Sequence, residues 1–181
     1  MRIITGSARG RKLKALEGTV TRPTAERVKE ALFSIIQFEL PGASVLDLFA
    51  GSGQLGIEAL SRGAALAVFV DHARDAQTVI LENLQVVGLA PSARVVCTDF
   101  RLFLQHTTDR FDIALVDPPY EDGLYTEALR LLEPVMKETG IILCESDKRI
   151  ELPRRSVDFL LKKQYTYGNT TLSVYRKEET V

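Results

Sequence analysis

The stretch Asp47-Leu48-Phe49-Ala50-Gly51-Ser52-Gly53-Gln54-Leu55-Gly56 decides the fold of this 181-residue chain. An apolar run, residues 44–49, leads into it, and a helical pattern follows. Gly51, Gly53 and Gly56 have the spacing G-x-G-x-x-G, which permits a tight strand-to-helix turn and a close backbone approach to a ligand. The pattern predicts a cofactor loop, although a glycine turn that serves packing alone has the same spacing.

Short apolar segments and helical patterns alternate outward from this loop. The predicted strands are 44–49, 67–70, 94–97, 111–116 and 140–145, and the predicted helices are 24–40, 54–62, 75–87, 100–105 and 124–137. Repeated βα units of this kind predict an α/β, Rossmann-like fold with a mostly parallel sheet and helices on both faces. Two last strands, 159–165 and 172–176, flank Gly168-Asn169 and predict a C-terminal antiparallel hairpin.

Acidic residues end three successive strands. Asp47 lies in an otherwise apolar strand end, where its charge suits a ligand with a positive amino group and would repel a pyrophosphate. Asp71 follows Gly51 by twenty residues, the usual distance of an acid that accepts ribose hydroxyls. Asp99 and Phe100 could contact an adenine through its amino group and ring face. Each acid could instead cap a helix or a turn, but three together favour a nucleoside cofactor that carries an amino acid.

The fourth strand ends in Asp117-Pro118-Pro119-Tyr120. Two prolines fix φ and lack N–H donors, so this turn is rigid and its carbonyl oxygens can face a ligand. An exocyclic amine of a base is a weak nucleophile, and the Asp117 carboxylate and Pro118 carbonyl could orient its lone pair. Tyr120 offers a ring on which an extruded base can stack. The motif predicts methyl transfer to an exocyclic amino nitrogen.

The charge of the chain is unevenly distributed. The chain has a net charge of −1, yet residues 1–30 contain eight Lys or Arg against three Glu. Such a patch attracts polyanions, and we expect residues 1–20 to form a basic hairpin or arm that binds RNA, although the arm could merely extend the sheet. The longest apolar stretch, residues 64–70, is too short to span a membrane, so we expect a cytoplasmic protein.

Residues 47–56 together with 117–120 resemble the class I S-adenosylmethionine-dependent methyltransferases that modify exocyclic amino groups. Further segments make the chain similar, over nearly its whole length, to the bacterial RsmD-like small-subunit ribosomal RNA guanine-(N2)-methyltransferases. These segments are Arg2-Ile3-Ile4-Thr5-Gly6, Arg9-Gly10-Arg11-Lys12-Leu13, Arg22-Pro23-Thr24, Arg27-Val28-Lys29-Glu30-Ala31-Leu32-Phe33, Gly56-Ile57-Glu58-Ala59-Leu60-Ser61-Arg62-Gly63-Ala64 and Tyr167-Gly168-Asn169-Thr170.

The resemblance implies one domain over residues 1–181 with a seven-stranded sheet, acting as a monomer on 16S ribosomal RNA within small ribosomal subunits. It implies S-adenosylmethionine as methyl donor, S-adenosylhomocysteine as product, and no metal. The family usually has Glu where this chain has Asp71, and a small residue where it has Gln54. The implied residues are Asp117, Pro118, Pro119 and Tyr120 for catalysis, Asp47, Phe49, Gly51, Gly53, Asp71, Asp99 and Phe100 for the cofactor, and Arg2, Arg9, Arg11, Lys12, Lys14 and Arg22 for RNA.

Three other readings stay open at this point. An amino-methyltransferase acting on adenine or cytosine of DNA or of another RNA would also use Asp-Pro-Pro-Tyr, though this chain is short for an added DNA-reading domain. A nicotinamide oxidoreductase would use the glycine loop. A non-catalytic RNA-binding or assembly module could retain the pocket without transferring a methyl group.

Overall fold

The computed structural model describes residues 1–16, 23–119 and 123–178. Its helices are α1 (Pro23–Ile35), α2 (Gln54–Ser61), α3 (Arg74–Val87), α4 (Phe100–His106) and α5 (Leu124–Leu132). Its strands are β1 (Ser44–Leu48), β2 (Leu66–Asp71), β3 (Ala93–Cys97), β4 (Phe111–Val116), β5 (Met136–Asp147), β6 (Arg155–Ser156), β7 (Phe159–Tyr167) and β8 (Thr170–Lys177). Among the helices described, none has the length and apolar character needed to cross a membrane.

The strands form one mixed sheet in the order β3-β2-β1-β4-β5-β8-β7-β6. Strands β1 to β5 pair in parallel, and β8 enters antiparallel between β5 and β7. The chain order reverses at β1 and β4, which are neighbours in the sheet but separated by β2 and β3 in sequence. Open α/β sheets bind ligands beyond the carboxyl ends of their strands at such a switch point. The two motifs of the sequence both lie there.

Apolar residues cover both faces of the sheet, as the continuous apolar strands predict. One core packs α1, α2, α3 and residues 1–13 against strand residues such as Val45, Phe69 and Leu115. The other packs α4 and α5 against residues of opposite parity, such as Leu46 and Val116. The fold predicted from the sequence is therefore confirmed, with helices on both faces and a C-terminal antiparallel hairpin.

The structure differs from the prediction in several details. Helix α1 ends at Ile35 instead of residue 40, and β5 spans Met136–Asp147 instead of 140–145. The sheet has eight strands rather than seven, because a tight turn at Val157, whose φ is 52°, lets the two-residue β6 pair with β7. The predicted helix 124–137 ends at Leu132 and is followed by a 3₁₀ turn, Glu133–Val135. Pro134 explains this early end, because it has no N–H to donate within a helix.

Residues 1–16 form an arm outside the main sheet. Arg2 and Lys12 make an antiparallel bridge, and the Ile3 amide donates to the Arg11 carbonyl at 3.0 Å. The side chains of Ile3 and Leu13 are buried in the core on the side of α2 and α3. Residues 1–16 therefore pack on the helical layer and do not extend the sheet, while residues 17–20 of the predicted arm lie outside the described residues.

Candidate active site

The glycine loop fixes its own geometry through the buried carboxylate of Asp47. The Asp47 side chain is 2% exposed, and its Oδ2 accepts a hydrogen bond from the Gly56 amide at 2.8 Å. Gly53 precedes α2 with a φ of 77°, a left-handed conformation that favours glycine. A Cβ at Gly56 would lie 2.3 Å from the Phe69 ring, so this glycine serves helix-to-strand packing. The loop is therefore rigid before any ligand arrives.

Asp71, at the end of the neighbouring strand β2, also binds the backbone of the glycine loop. Its carboxylate accepts hydrogen bonds from the Gly51 amide and from the Ala73 amide, both at 2.9 Å. A carboxylate has about four acceptor positions, so two remain for ligand hydroxyls. The structure brings Asp71 to the loop as the sequence predicts, while the ribose contact stays a prediction.

An aromatic pair lies beside the loop. Phe49 has a φ of 68°, which is unusual outside glycine and turns its ring toward Phe100, with the ring centroids 4.8 Å apart. Phe100 is 6% exposed, and the Arg101 guanidinium covers it at 4.5 Å. Asp99 caps α4 by accepting from the Arg101 amide at 2.8 Å. Because the Phe100 ring already has neighbours, the partly exposed Phe49 presents the more open aromatic surface.

The second motif follows β4 directly. Asp117 is half-buried, Pro118 is buried and Pro119 is exposed. Tyr120, predicted to stack on the base, lies outside the described residues. Burial raises the pKa of Asp117 to about 6. The structure places Asp117 close enough to the glycine loop for its charge, like that of Asp71, to raise the pKa of Asp47, although burial is the main cause of that rise to about 8.

Sequence reasoning missed Glu145, which lies within β5 next to Asp117. Its side chain is half-buried, and burial followed by the charge of Asp117 raises its pKa to about 8. The apolar run that precedes Glu145 in β5 resembles the runs before Asp47 and Asp117. That signal could have marked Glu145, the last residue of the predicted strand 140–145, as a fifth acid at a strand end.

Two buried polar residues that the sequence did not single out connect the arm to the loop region. Asn83 of α3 is 2% exposed; it accepts from the Lys14 amide at 2.8 Å and donates to the carbonyls of Lys14 and Ser52, both at 3.0 Å. Glu58 of α2 is fully buried and accepts from the amides of Ile4 and Thr5 at 2.8 and 3.0 Å. The arm is therefore an integral part of the loop's support.

The cations predicted to bind RNA are exposed wherever the structure describes them. Arg2, Arg9, Arg11, Lys12 and Lys14 all lie on the surface of the arm, whereas Arg22 falls outside the described residues. Arg2 forms an exposed ion pair with Glu26 at 3.2 Å, and Lys14 forms one with Glu82 at 2.7 Å. These surface pairs are weak and can exchange for phosphates.

One of the eight basic residues counted in segment 1–30 is buried and does not lie on the surface. Lys29 is 3% exposed, donates to the Arg2 carbonyl at 2.7 Å and lies 3.5 Å from the Glu58 carboxylate. Burial lowers its pKa. Lys29 therefore holds the arm against α1 through the Arg2 carbonyl and does not contribute to the surface charge.

A cavity of about 560 Å³ separates the arm from α1. It is lined by arm backbone and by five charged side chains, Arg2, Arg9, Arg27, Glu26 and Glu30. Arg9 and Arg27 are exposed, and within the parts of the chain described neither makes an ion pair. This cavity extends the cationic surface from the arm to α1.

Known proteins share this architecture over its full length. The family profile described as "Conserved hypothetical protein 95" matches residues 1–176. A Bacillus subtilis protein named "Putative rRNA methyltransferase YlbH" is 40% identical, with 98% of this chain and 99% of the relative covered. The Escherichia coli "Ribosomal RNA small subunit methyltransferase D" is 36% identical, with 98% and 90% covered.

Solved structures of other proteins also share this fold. The chain superposes on the "Putative methyltransferase yhhF from Escherichia coli" with a TM-score of 0.88 and 35% identity, covering 99% of both chains. A "putative methyltransferase complexed with SAH", SMU.776, shares the fold at 16% identity with a TM-score of 0.64, covering 79% of this chain and 48% of that one. The chain therefore belongs to the Conserved hypothetical protein 95 family, the family of ribosomal RNA small subunit methyltransferase D, and is a methyltransferase with a Rossmann-like fold.

Proposed function

We propose that this protein methylates the exocyclic 2-amino group of a guanine in small-subunit (16S) ribosomal RNA, with S-adenosylmethionine as donor. The observation that carries the proposal is the position of Asp117-Pro118-Pro119 beside the glycine loop at the sheet's switch point. The relatives support the RNA class, because both are named for ribosomal RNA methyltransfer and this chain covers 99% and 90% of their lengths. We propose that the enzyme acts in the cytoplasm as a single-domain monomer.

The residues of the loop fit the proposed donor. Asp47 is a buried acid whose pKa is raised to about 8, and its one hydrogen bond among the described residues comes from the Gly56 amide, so the positive amino group of a methionine moiety would favour its ionised form. Asp71 has acceptor positions left for a ribose, and Phe49 offers a ring beside the loop. Asp99 keeps a partly exposed carboxylate at the start of α4. When bound, S-adenosylmethionine supplies an activated methyl group on its sulfonium.

The chain's own part in the reaction is to position the amine. The Asp117 carboxylate and the Pro118 carbonyl accept hydrogen bonds from the guanine amino group, which directs the nitrogen lone pair toward the methyl carbon. As the N–C bond forms, the S–CH₃ bond breaks and its electron pair stays on sulfur. Asp117, whose pKa is raised to about 6, accepts the proton that the methylated nitrogen releases.

The arm and the cavity beside α1 contribute the affinity for RNA in this proposal. Phosphate contacts by exposed Arg and Lys give binding that weakens with salt and carries no sequence information. Selection of the target nucleotide therefore depends on RNA shape and on the pocket that receives the base.

Nucleoside mass spectrometry of ribosomal RNA from cells with and without this protein tests the proposal. We expect N2-methylguanosine in small-subunit RNA to fall by one residue per ribosome in cells without it. Labelled methyl transfer to purified small subunits and to duplex DNA is the companion experiment. Transfer to DNA alone, or an unchanged RNA profile, would contradict the proposal.

A further inference from the structure

Asp117 directly follows β4, and Glu145 lies opposite it in the neighbouring parallel strand β5. In the register of β4 and β5, Leu115 pairs with Leu143 and Val116 with Cys144, so Glu145 is the next residue opposite Asp117. Both acids continue the face that carries Leu115 and Leu143, which is the face of the glycine loop. Neighbouring strands lie about 4.8 Å apart, a distance comparable with the width of the hydrogen-bonding edge of a purine.

The two carboxyl groups lack partners of their own. In residues 1–16, 23–119 and 123–178, no hydrogen bond or ion pair reaches the side chain of Asp117 or Glu145. The strand end is fixed in another way, because the Tyr125 hydroxyl of α5 donates to the Glu145 carbonyl at 2.7 Å. The fold therefore does not use the Glu145 carboxyl, although half-buried polar groups are ordinarily paired.

The surroundings keep one proton on this pair. On the strand at the other side, β8, the residue opposite Glu145 is the apolar Leu172, so Asp117 is the charged group that acts on Glu145. Two adjacent carboxylates in a partly dry site cannot easily both be ionised. The higher pKa, about 8, belongs to Glu145, and the lower, about 6, to Asp117. Burial and the charge of Asp117 therefore both favour the protonated form of Glu145.

A protonated carboxyl group matches one particular part of guanine. It has an O–H donor and a carbonyl acceptor side by side, whereas a carboxylate has acceptors only. The edge of guanine next to the 2-amino group presents the complementary pair, an O6 acceptor and an N1–H donor. Flipped bases are commonly read along this edge.

We propose that Glu145, in its neutral form, binds the N1–H and O6 of the target guanine while Asp117 binds the adjacent 2-amino group. The inference rests on the proposed function and names the residue that makes the pocket specific for guanine. Glu145 places the base, and Asp117 acts on the reacting nitrogen.

The test compares Glu145→Gln with Glu145→Leu in methyl transfer to small subunits purified from cells that lack the protein. Gln carries the same donor and acceptor as a protonated Glu, so kcat/KM should stay within about threefold of the wild type, while Leu should lose roughly 30-fold. The wild-type rate should fall above about pH 8, and Glu145→Gln should abolish that fall. Equal losses in both variants, no loss with Leu, or identical pH profiles would overturn the inference.

Two measurements separate this inference from its foundation. The affinity for S-adenosylhomocysteine, measured by calorimetry, should be unchanged in both variants. A loss of that affinity in Glu145→Leu would show that Glu145 stabilises the fold and would contradict a role in binding the base. If the wild type modifies a base other than guanine, the proposed function and the inference both fail. If the wild type makes N2-methylguanosine and Glu145→Leu makes it equally fast, only the inference fails.

Discussion

The two halves of the site are built in opposite ways. In the glycine loop, the carboxylates of Asp47 and Asp71 are engaged by backbone amides at 2.8 and 2.9 Å. Asp117, directly after β4, and Glu145, opposite it in β5, have no such partners in the described chain. A cofactor that is the same in every turnover suits a preformed loop, whereas a base that must enter and leave suits open acceptors. The predictions below use this contrast.

We expect the largest effect from a substitution of Asp117, in the half of the site that contains Asp117 and Glu145. Asp117→Asn keeps the shape but replaces one acceptor oxygen with a donor, so we expect kcat to fall roughly 1000-fold. Affinity for S-adenosylhomocysteine should change less than about threefold, because the loop retains its own bonds. Single-turnover methyl transfer and calorimetry measure the two quantities. Equal losses in both would show that the halves are not independent.

The next effect concerns the support of the loop. Asn83→Ala removes buried bonds to Lys14 and Ser52 and should lower the free energy of unfolding by about 3 kcal/mol. Glu82→Ala, the matched control one residue away, removes only an exposed ion pair and should cost less than about 1 kcal/mol. Urea unfolding measures both. Similar small costs would mean that the arm does not support the loop.

The arm should affect affinity for RNA rather than chemistry. Arg9→Ala combined with Arg11→Ala should weaken binding to small subunits about tenfold at moderate salt and reduce the slope of log K against log salt by about 2. The rate at saturating substrate should be unchanged, because neither side chain belongs to the residues proposed to act on the cofactor or the base. Filter binding over a range of salt concentrations checks the slope, and an unchanged slope would remove the arm from the RNA interface.

The smallest effect is a dependence of stability on pH that comes from the loop. Because the pKa of Asp47 is raised from 3.8 to about 8, the folded state binds a proton that the unfolded state has released between these values. Stability contributed by this group is therefore lost as pH rises from 4 to 8. Asp47→Asn should flatten this dependence, whose slope is at most about 1.4 kcal/mol per pH unit between these two values. The exposed Asp158→Asn serves as control, and equal pH slopes in all three proteins would contradict the assignment.

The sequence predicts the fold well because the fold depends on local periodicity. Apolar runs before Asp47 and Asp117 and the glycine at 88, whose φ of 75° ends α3, locate most elements within a few residues. The predicted bounds are wrong where a proline ends a helix, as at Pro134, and the predicted number of strands is wrong because β6 has only two residues.

The site is only partly predictable, because its remaining parts depend on pairings across the fold. Nothing local to Asn83 or Glu58 reveals that each accepts a backbone amide of the arm more than fifty residues away. Glu145 acquires its surroundings from the register of β4 and β5. The sequence counts Lys29 among the charges of the basic segment, yet in the structure its side chain is buried against Glu58.

A structure of the enzyme with S-adenosylhomocysteine and a guanine-containing RNA fragment tests the central claim most directly. The account predicts the guanine 2-amino nitrogen about 2.9 Å from the Asp117 carboxylate and facing the sulfur, with N1 and O6 at the Glu145 carboxyl. A base bound away from these two acids, or turned so that another edge meets Asp117, would contradict it.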